Sequence, residues 1–229
     1  PHKLKVISPP SYNHNQLFNS LTNQNFDIAI SGYSDKKVLQ ASIIKFPISR
    51  GLLGHRIFII KKENEDLINT FKTLPDLIKN FTIGSGHGWL DTDVFKYHNF
   101  NVEVAEYNLL WKMLSKNRFL GFNRGLHEGH HELSLFKSKW PSLKVHETLV
   151  IKYPFDYFFY VSKNNTVLYK KLNASIKNLE RKGLLKKHFF SHPSIINSLK
   201  SISKSTRVFE IENPYFNIKI SKEYWYNID

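Results

Sequence analysis

The residues best suited to chemistry lie in a glycine-rich stretch, Gly84-Ser85-Gly86-His87-Gly88-Trp89. The stretch follows an apolar run that predicts a strand and precedes Asp91–Tyr97, which predicts a helix. Such a turn leaves backbone N–H groups free at the helix N-terminus, where they suit a carboxylate or another anion. The indole of Trp89 could stack on a ligand or on its cationic group. The ligand-binding candidates here are Gly86, His87, Trp89, Asp91 and Thr92, of which the last two are also placed to cap the helix.

A second candidate is Arg124, which follows the predicted strand Phe119–Phe122. The carboxyl end of a strand is where ligands sit in α/β sheets, and a guanidinium can hold a carboxylate or phosphate through two parallel hydrogen bonds. A salt bridge within the fold is the alternative interpretation. Ser31 and Tyr33 occupy the matching strand end earlier in the chain, and Arg50 lies in a loop near a later strand. We predict that Ser31, Tyr33, Arg50 and Arg124 contribute to the same ligand site.

The sequence His127-Glu128-Gly129-His130-His131 spells HExxH. On a helix, two histidines one turn apart bind zinc and the glutamate acts as a base. Gly129 lies inside the motif and Gly125 just before it, and no apolar helical stripe precedes it, so we expect no suitable helix here. We therefore predict no enzyme, no metal site and no cofactor. Two alternatives stay open: a zinc-dependent hydrolase that uses His127, Glu128 and His131, and incidental surface metal binding by His127, His130 and His131.

Composition narrows the class of protein further. The chain has 229 residues, of which 41% are hydrophobic, and no cysteine, which excludes disulfides and thiolate metal sites. There are 33 Lys and Arg against 19 Asp and Glu, a net charge of +14. The basic residues are mostly lysine and are scattered along the chain, so we expect a solvated basic surface and no nucleic-acid partner. No apolar stretch is long enough to span a membrane.

The predicted elements that position these residues alternate between strands and helices. Short apolar runs predict strands at Lys3–Ile7, Phe26–Gly32, Arg56–Ile60 and Phe155–Val161, and Leu168–Glu180 predicts an amphipathic helix. Strand-rich crossings at about 56–62 and 147–155 bracket a middle region of βαβαβ order. We predict a discontinuous lobe one, residues 1–60 with 153–229, and a lobe two, residues 61–152. A cleft between two such lobes is where ligands usually bind.

Several motifs, in order along nearly the whole chain, resemble those of the type 2 periplasmic solute-binding proteins. Phe26–Gly32 is similar to the family's D-h-h-h-S/G strand, and Thr73-Leu74-Pro75-Asp76-Leu77 with Phe81–Gly84 is similar to its entry into lobe two. A narrower set of bacterial members, described mainly as transporter substrate-binding domains, has similar segments. In this chain the segments are Phe46–Arg56, Gly84–Thr92, Phe122–Gly125 and Asn213-Pro214 followed by Glu223–Tyr226.

The resemblance implies an α/β, two-lobed type 2 periplasmic-binding-protein-like fold with mixed sheets and flanking helices. The family normally has a further strand and helix before Lys3, so the first strand and helix of lobe one are expected to be missing here. It also implies an extracytoplasmic, monomeric solute-binding protein that works with a membrane transporter or a sensor. The charge of +14 and Arg124 favour a small polar solute that is anionic or carries a carboxylate.

Overall fold

The computed structural model of the protein describes residues 5–7, 14–23, 25–33, 35 and 41–226. Lys3 and Leu4 of the first predicted strand lie outside these residues, and residues 5–7 form no strand. The described chain is a mixed α/β structure with two sheets.

A small antiparallel sheet is built from three strands: β1 (Ile28–Gly32), β2 (Ala41–Ile44) and β9 (Tyr157–Ser162). β9 is the middle strand, because it pairs with β1 on one side and β2 on the other. One face of this sheet packs on the helix α1 (His14–Thr22) through Phe18 and Leu21, both fully buried. The edge strand β1 has one covered side, since Ala29 and Ser31 are buried while Ile30 between them is exposed.

The large sheet has the strand order β10-β8-β3-β6-β4-β5, with β7 also paired to β3. Its strands are β3 (His55–Lys61), β4 (Ile83–Gly86), β5 (Val102–Ala105), β6 (Gly121–Gly125), β7 (Leu143–Val145), β8 (Leu149–Lys152) and β10 (Arg207–Glu210). β4 runs parallel to both β5 and β6, while β3 is antiparallel to β6. Residues 55–60 and β10, both predicted as parts of lobe one, thus lie in the large sheet. The division of the chain into two lobes stays a prediction.

Helices cover both faces of the large sheet. They are α2 (Glu65–Thr70), α3 (Leu74–Asn80), α4 (Leu90–Tyr97), α5 (Tyr107–Ser115), α6 (Leu126–Phe136), α8 (Leu184–Ser191) and α9 (Pro193–Lys200). Another helix, α7 (Thr166–Arg181), packs on β2 and β9 of the small sheet. The start of α3 follows from local sequence: the Thr73 hydroxyl accepts from the Asp76 N–H, the Asp76 carboxylate accepts from the Thr73 N–H, and Pro75 occupies the first turn. Two apolar clusters, one on each face of the large sheet, form most of the core.

The two segments that connect the sheets run side by side. The Tyr153 N–H donates to the Gly54 carbonyl at 3.0 Å, and a Cβ on Gly54 would lie only 2.0 Å from the Tyr153 carbonyl oxygen. The buried Asp156 carboxylate then accepts hydrogen bonds from the Ser49 N–H and hydroxyl, both at 2.8 Å, and from the Gly51 N–H. These contacts join the outgoing and returning segments at one place.

Candidate functional site

The candidate site lies where two parallel strands end. β4 and β6 pair directly, with Gly84 opposite Phe122, so Gly86 and Arg124 reach the same edge of the sheet. The sequence placed these two residues 38 positions apart on separate strand ends, and the sheet brings them together. The first turn of α4 and the first two turns of α6 begin at this edge and supply the remaining side chains.

Trp89 folds back over the end of β4. A Cβ on Gly86 would lie 2.2 Å from the indole, so the indole can occupy this place only because residue 86 is glycine. The indole is stacked on the Phe122 ring, with centroids 6.2 Å apart and planes at 19°, and it is only half-buried. The rigid apolar support and the partly open ring are what a stacking surface for a ligand needs.

Arg124 is held by carboxylates on α6. Its Nε and Nη2 donate to the two oxygens of Glu132 at 2.7 and 2.5 Å, and Nη2 lies 3.2 Å from Glu128 Oε2. The guanidinium carbon lies over the Trp89 ring at 4.8 Å and over the Tyr107 ring at 5.6 Å. The salt bridge that sequence analysis gave as the alternative is therefore present, and it sits directly beside the indole.

Electrostatics fix the charge state of this cluster. Burial acts to raise the pKa of Glu128, but the guanidinium groups of Arg124 and Arg56 more than offset it and lower that pKa to about 2. Burial likewise opposes the charged form of Arg124, while Glu128 and Glu132 raise its pKa. By formal charge alone, the cluster has two arginines, Arg56 and Arg124, against three carboxylates, Asp91, Glu128 and Glu132. The basic excess of the whole chain is therefore not shared by this site.

The N-terminus of α4 has no side-chain cap. Its N-cap residue is Trp89, and the backbone N–H groups of Leu90 and Asp91 have no acceptor among the described residues. Gly88, just before, has a φ of 70°, a left-handed conformation that favours glycine, and lies in open space. The turn residues His87 and Gly88, just before these N–H groups, are exposed. Unpaired N–H groups of this kind are what an anion would need, and anion binding at the turn stays a prediction.

Asp91 and Thr92 point away from this opening. Both are buried; the Thr92 hydroxyl lies 2.8 Å from Ser85 Oγ and 3.0 Å from the Gly86 carbonyl oxygen. Asp91 accepts a hydrogen bond from the Tyr153 hydroxyl, and its Oδ1 lies 3.3 Å from Arg56 Nε. Both side chains contact groups of the fold itself, so a role in ligand binding stays a prediction for them.

Sequence analysis did not single out Arg56, a buried arginine beside the site. Its Nη1 donates to the Leu53 carbonyl at 2.9 Å and its Nη2 to Asn123 Oδ1 at 2.7 Å, and the residue is 1% exposed. Asn123 in turn donates to the Gly84 carbonyl at 2.9 Å. The sequence did contain a signal for it, since Arg56 is a charged residue in the otherwise apolar run His55–Ile60. A buried arginine requires a polar partner, so its presence in such a run indicates a buried polar cluster.

The HExxH motif lies on α6, so the expectation that its glycine excludes a helix is wrong. Gly129 is needed there because α6 packs closely on β3: a Cβ would lie 2.8 Å from Ile57 Cδ1. The Glu128 carboxylate is occupied by Arg124, by the Gly125 N–H at 2.9 Å and by the Tyr157 hydroxyl at 3.3 Å. Within the described residues no group of three potential metal ligands comes together.

The candidates from the first part of the chain are more dispersed. Tyr33 packs between Phe158 and Phe216, and its hydroxyl donates to Asp35 at 2.5 Å. Arg50 forms a two-pronged pair with Glu180 on α7, at 3.0 and 2.6 Å. Ser31 is buried on β1. Tyr33 and Arg50 thus contact residues other than Trp89 and Arg124, and the place of all three residues in the site stays a prediction.

Comparison with solved structures identifies the fold. No protein-family model and no curated protein matches the chain. A binding component of an ABC transporter from Wolinella succinogenes, complexed with lysine, is 16% identical over 82% of this chain and 77% of that chain, with a TM-score of 0.59. An arginine transport periplasmic binding protein from Legionella pneumophila is 18% identical over 79% and 78%, with a TM-score of 0.56.

An amino-acid ABC transporter substrate-binding protein from Streptococcus pneumoniae, bound to L-arginine, is 14% identical over 79% of this chain and 73% of that chain, with a TM-score of 0.55. These likenesses confirm the predicted fold: the chain has the two-lobed, type 2 periplasmic binding fold. Among the described helices, none is both long and apolar enough to cross a membrane.

Proposed function

We propose that the protein is an extracytoplasmic solute-binding protein that closes on a small polar solute at the ends of β4 and β6. The observation that carries the proposal is the half-buried Trp89, seated on Gly86 beside the uncapped N-terminus of α4. An aromatic surface next to unpaired backbone donors suits a ligand with both an apolar or cationic part and a carboxylate. The fold supports the same role, since the related structures were solved with lysine or L-arginine bound.

The ligand that best suits this site carries a carboxylate without being strongly anionic overall. The carboxylate would accept hydrogen bonds from the N–H groups of Leu90 and Asp91. Arg124 is already neutralised by Glu128 and Glu132, so it would orient the ligand and contribute little attraction for an additional anion. The excess of carboxylates favours a neutral or cationic second group near the Trp89 ring. We therefore propose a zwitterionic or cationic solute over the simple anion that the net charge of the chain favoured.

Binding would act by shifting a population of states. A solute that contacts both sheets stabilises the closed form by the contacts it makes only there. The joined segments at Gly54, Tyr153 and Asp156 would allow this motion while keeping the sheets in register. No catalytic step is proposed, because Glu128, the base that a zinc hydrolase would need, is committed to Arg124. The partner would be a membrane transporter or a sensor, and the protein would work as a monomer.

The test is a thermal-shift screen with amino acids, organic acids, polyamines, phosphate esters and zinc. A ligand at about 100 times its Kd stabilises the folded state by roughly 2.7 kcal/mol, which is readily measured. Trp89→Ala should abolish the shift, whereas Trp140→Ala, which removes another half-buried indole beyond the end of α6, should retain it.

Three outcomes would contradict the proposal. A shift that persists in Trp89→Ala would place the site elsewhere. A response to zinc alone, lost in His127→Ala, would favour the hydrolase alternative. The absence of any shift would indicate a scaffold that no longer binds solutes.

A further inference from the structure

The basic charge of the chain is concentrated in one part of the fold. Residues 163–207 contain eleven Lys and Arg and one acidic residue, Glu180, so this fifth of the chain carries +10 of the net +14. Sequence analysis treated these charges as scattered, because they form no long run. The helices α7, α8 and α9 place them next to one another, since α8 packs on both of its neighbours.

The outer face of α7 carries only positive charge. The side chains of Lys170, Lys171, Lys177 and Arg181 are exposed, and their spacing places them within one half of the helix circumference. The single carboxylate of this helix, Glu180, is turned inward and paired with the buried Arg50. It therefore does not neutralise the outer face.

The basic surface continues past the end of α7. Lys182, Lys186 and Lys187 are exposed around the start of α8. None of the seven basic residues of this surface lies within salt-bridge distance of a carboxylate among the described residues. We call the set Lys170, Lys171, Lys177, Arg181, Lys182, Lys186 and Lys187 the basic face.

Aliphatic side chains are exposed among these charges. Val167, one turn before Lys171 on α7, is 63% exposed, and Leu184, between Lys182 and Lys186, is 49% exposed. Ala174 and Asn178 lie with Lys177 and Arg181 around a shallow open depression in the centre of the face. A helix surface that combines lysines with isolated aliphatic groups has the composition of a segment that lies on a membrane interface.

We propose that the basic face docks on a membrane surface rich in anionic lipid. The lysine ammonium groups would lie at the level of the lipid phosphates, and Val167 and Leu184 would insert between the headgroups. A lipid surface fits better than a nucleic acid for two reasons. Six of the seven cations are lysine, a point charge without the planar fork that reads bases. No Phe, Tyr or Trp of residues 163–207 is among the exposed large hydrophobic side chains, on which bases could stack.

The test is flotation of the full chain with lipid vesicles. Vesicles of phosphatidylcholine containing about 30 mol% phosphatidylglycerol should bind the protein, and vesicles of phosphatidylcholine alone should not. Raising the salt concentration from about 0.1 M to about 0.5 M should weaken binding by at least about tenfold, because the charges are exposed and screened. The triple variant Lys170→Glu, Lys171→Glu, Lys177→Glu should lose binding by a similar factor.

A matched control separates the basic face from net charge. Lys96→Glu, Lys112→Glu and Lys116→Glu reverse three exposed lysines on α4 and at the end of α5, and they lower the net charge equally. This variant should keep most of the binding. An equal loss in the two triple variants would overturn the proposal in favour of a diffuse charge effect.

Two further results bear on the lipid assignment. Val167→Ser with Leu184→Ser should reduce the binding that remains at high salt, because it removes the inserted groups without changing charge. Two results would overturn the membrane-docking proposal. One is the absence of binding to the anionic vesicles at low salt, and the other is tighter binding to a single-stranded oligonucleotide than to the vesicles. The solute-induced thermal shift should be the same in every one of these variants.

Discussion

Two arginines at the same edge of the large sheet differ in burial and in the groups that lie beside them. Arg56 on β3 is 1% exposed and is surrounded by Asp91, Asn123 and a backbone carbonyl. Arg124 on β6, one strand away, meets two carboxylates of α6 whose side chains retain some solvent exposure, and it lies over a half-buried indole. The residue types are nearly the same in both clusters, and only the second borders solvent.

The comparison teaches that an arginine–carboxylate pair is not by itself a sign of function. Around Arg56 the hydrogen bonds reach only groups of the fold, so the cluster orders the sheet edge. Around Arg124 the neighbouring Trp89 ring and the unpaired N–H groups of α4 leave surfaces that a ligand can complete. The predictions below test this difference.

The largest expected effect comes from breaking the buried cluster. Asp91→Asn removes the nearest countercharge of the fully buried Arg56 and should lower the free energy of unfolding by about 3–5 kcal/mol. Glu132→Gln, which makes the same chemical change beside Arg124, should cost only about 1 kcal/mol because its side chain is partly solvated. Urea unfolding of the two variants measures both values. Equal losses would show that the two clusters do not differ in burial as described.

The second prediction is a loss of folding stability at low pH that is caused by His55, the residue beside Arg56. Burial lowers the pKa of His55 to about 4 from its usual 6.5, although its hydrogen bond to the Gly51 carbonyl acts in the opposite direction. The unfolded chain therefore binds a proton at higher pH than the folded one, so stability is retained above pH 6.5 and lost as pH falls towards 4. The loss is on the order of 3 kcal/mol.

The measurement is the free energy of unfolding as a function of pH in the wild type and in His55→Asn. The variant should lose less stability over the same range, although His146, whose pKa burial also lowers to about 4, still titrates. An unchanged pH profile in His55→Asn would show that His55 is not the group responsible.

A smaller loss of stability than in Asp91→Asn, together with the largest loss of solute binding, is expected when Gly86, which supports the Trp89 indole, is replaced. Gly86→Ala places a methyl group where the indole lies and should cost about 1–3 kcal/mol while abolishing the solute-induced shift. Gly88→Ala is the matched control: it meets nothing within 4 Å and is strained only by its φ of 70°, at about 1 kcal/mol. It should keep the response to solute. Loss of binding in both variants would mean that the turn, not the indole position, determines affinity.

Much of the fold could be predicted from local patterns. The apolar runs at Phe81–Gly84 and Arg56–Ile60 became β4 and β3, and the signals at Thr73 and Pro75 became a capped helix start. The turn before Trp89 could be predicted because it depends only on closely spaced glycines between an apolar strand and the start of a helix. The helix at the HExxH motif was missed, since glycine disfavours a helix locally and only the close approach to Ile57 explains it.

The sequence by itself determined the element types, the glycine-rich turn, the absence of cysteine chemistry and the excess of lysine. The tertiary structure decided which charges meet: Arg50 with Glu180, 130 residues later, Arg56 with Asp91, and Arg124 with the carboxylates of α6. It also gathered the lysines of α7 and α8 into one face. The physical reason is range, because secondary structure depends on neighbours a few residues away, whereas a charge finds its partner only through the packing of the whole chain.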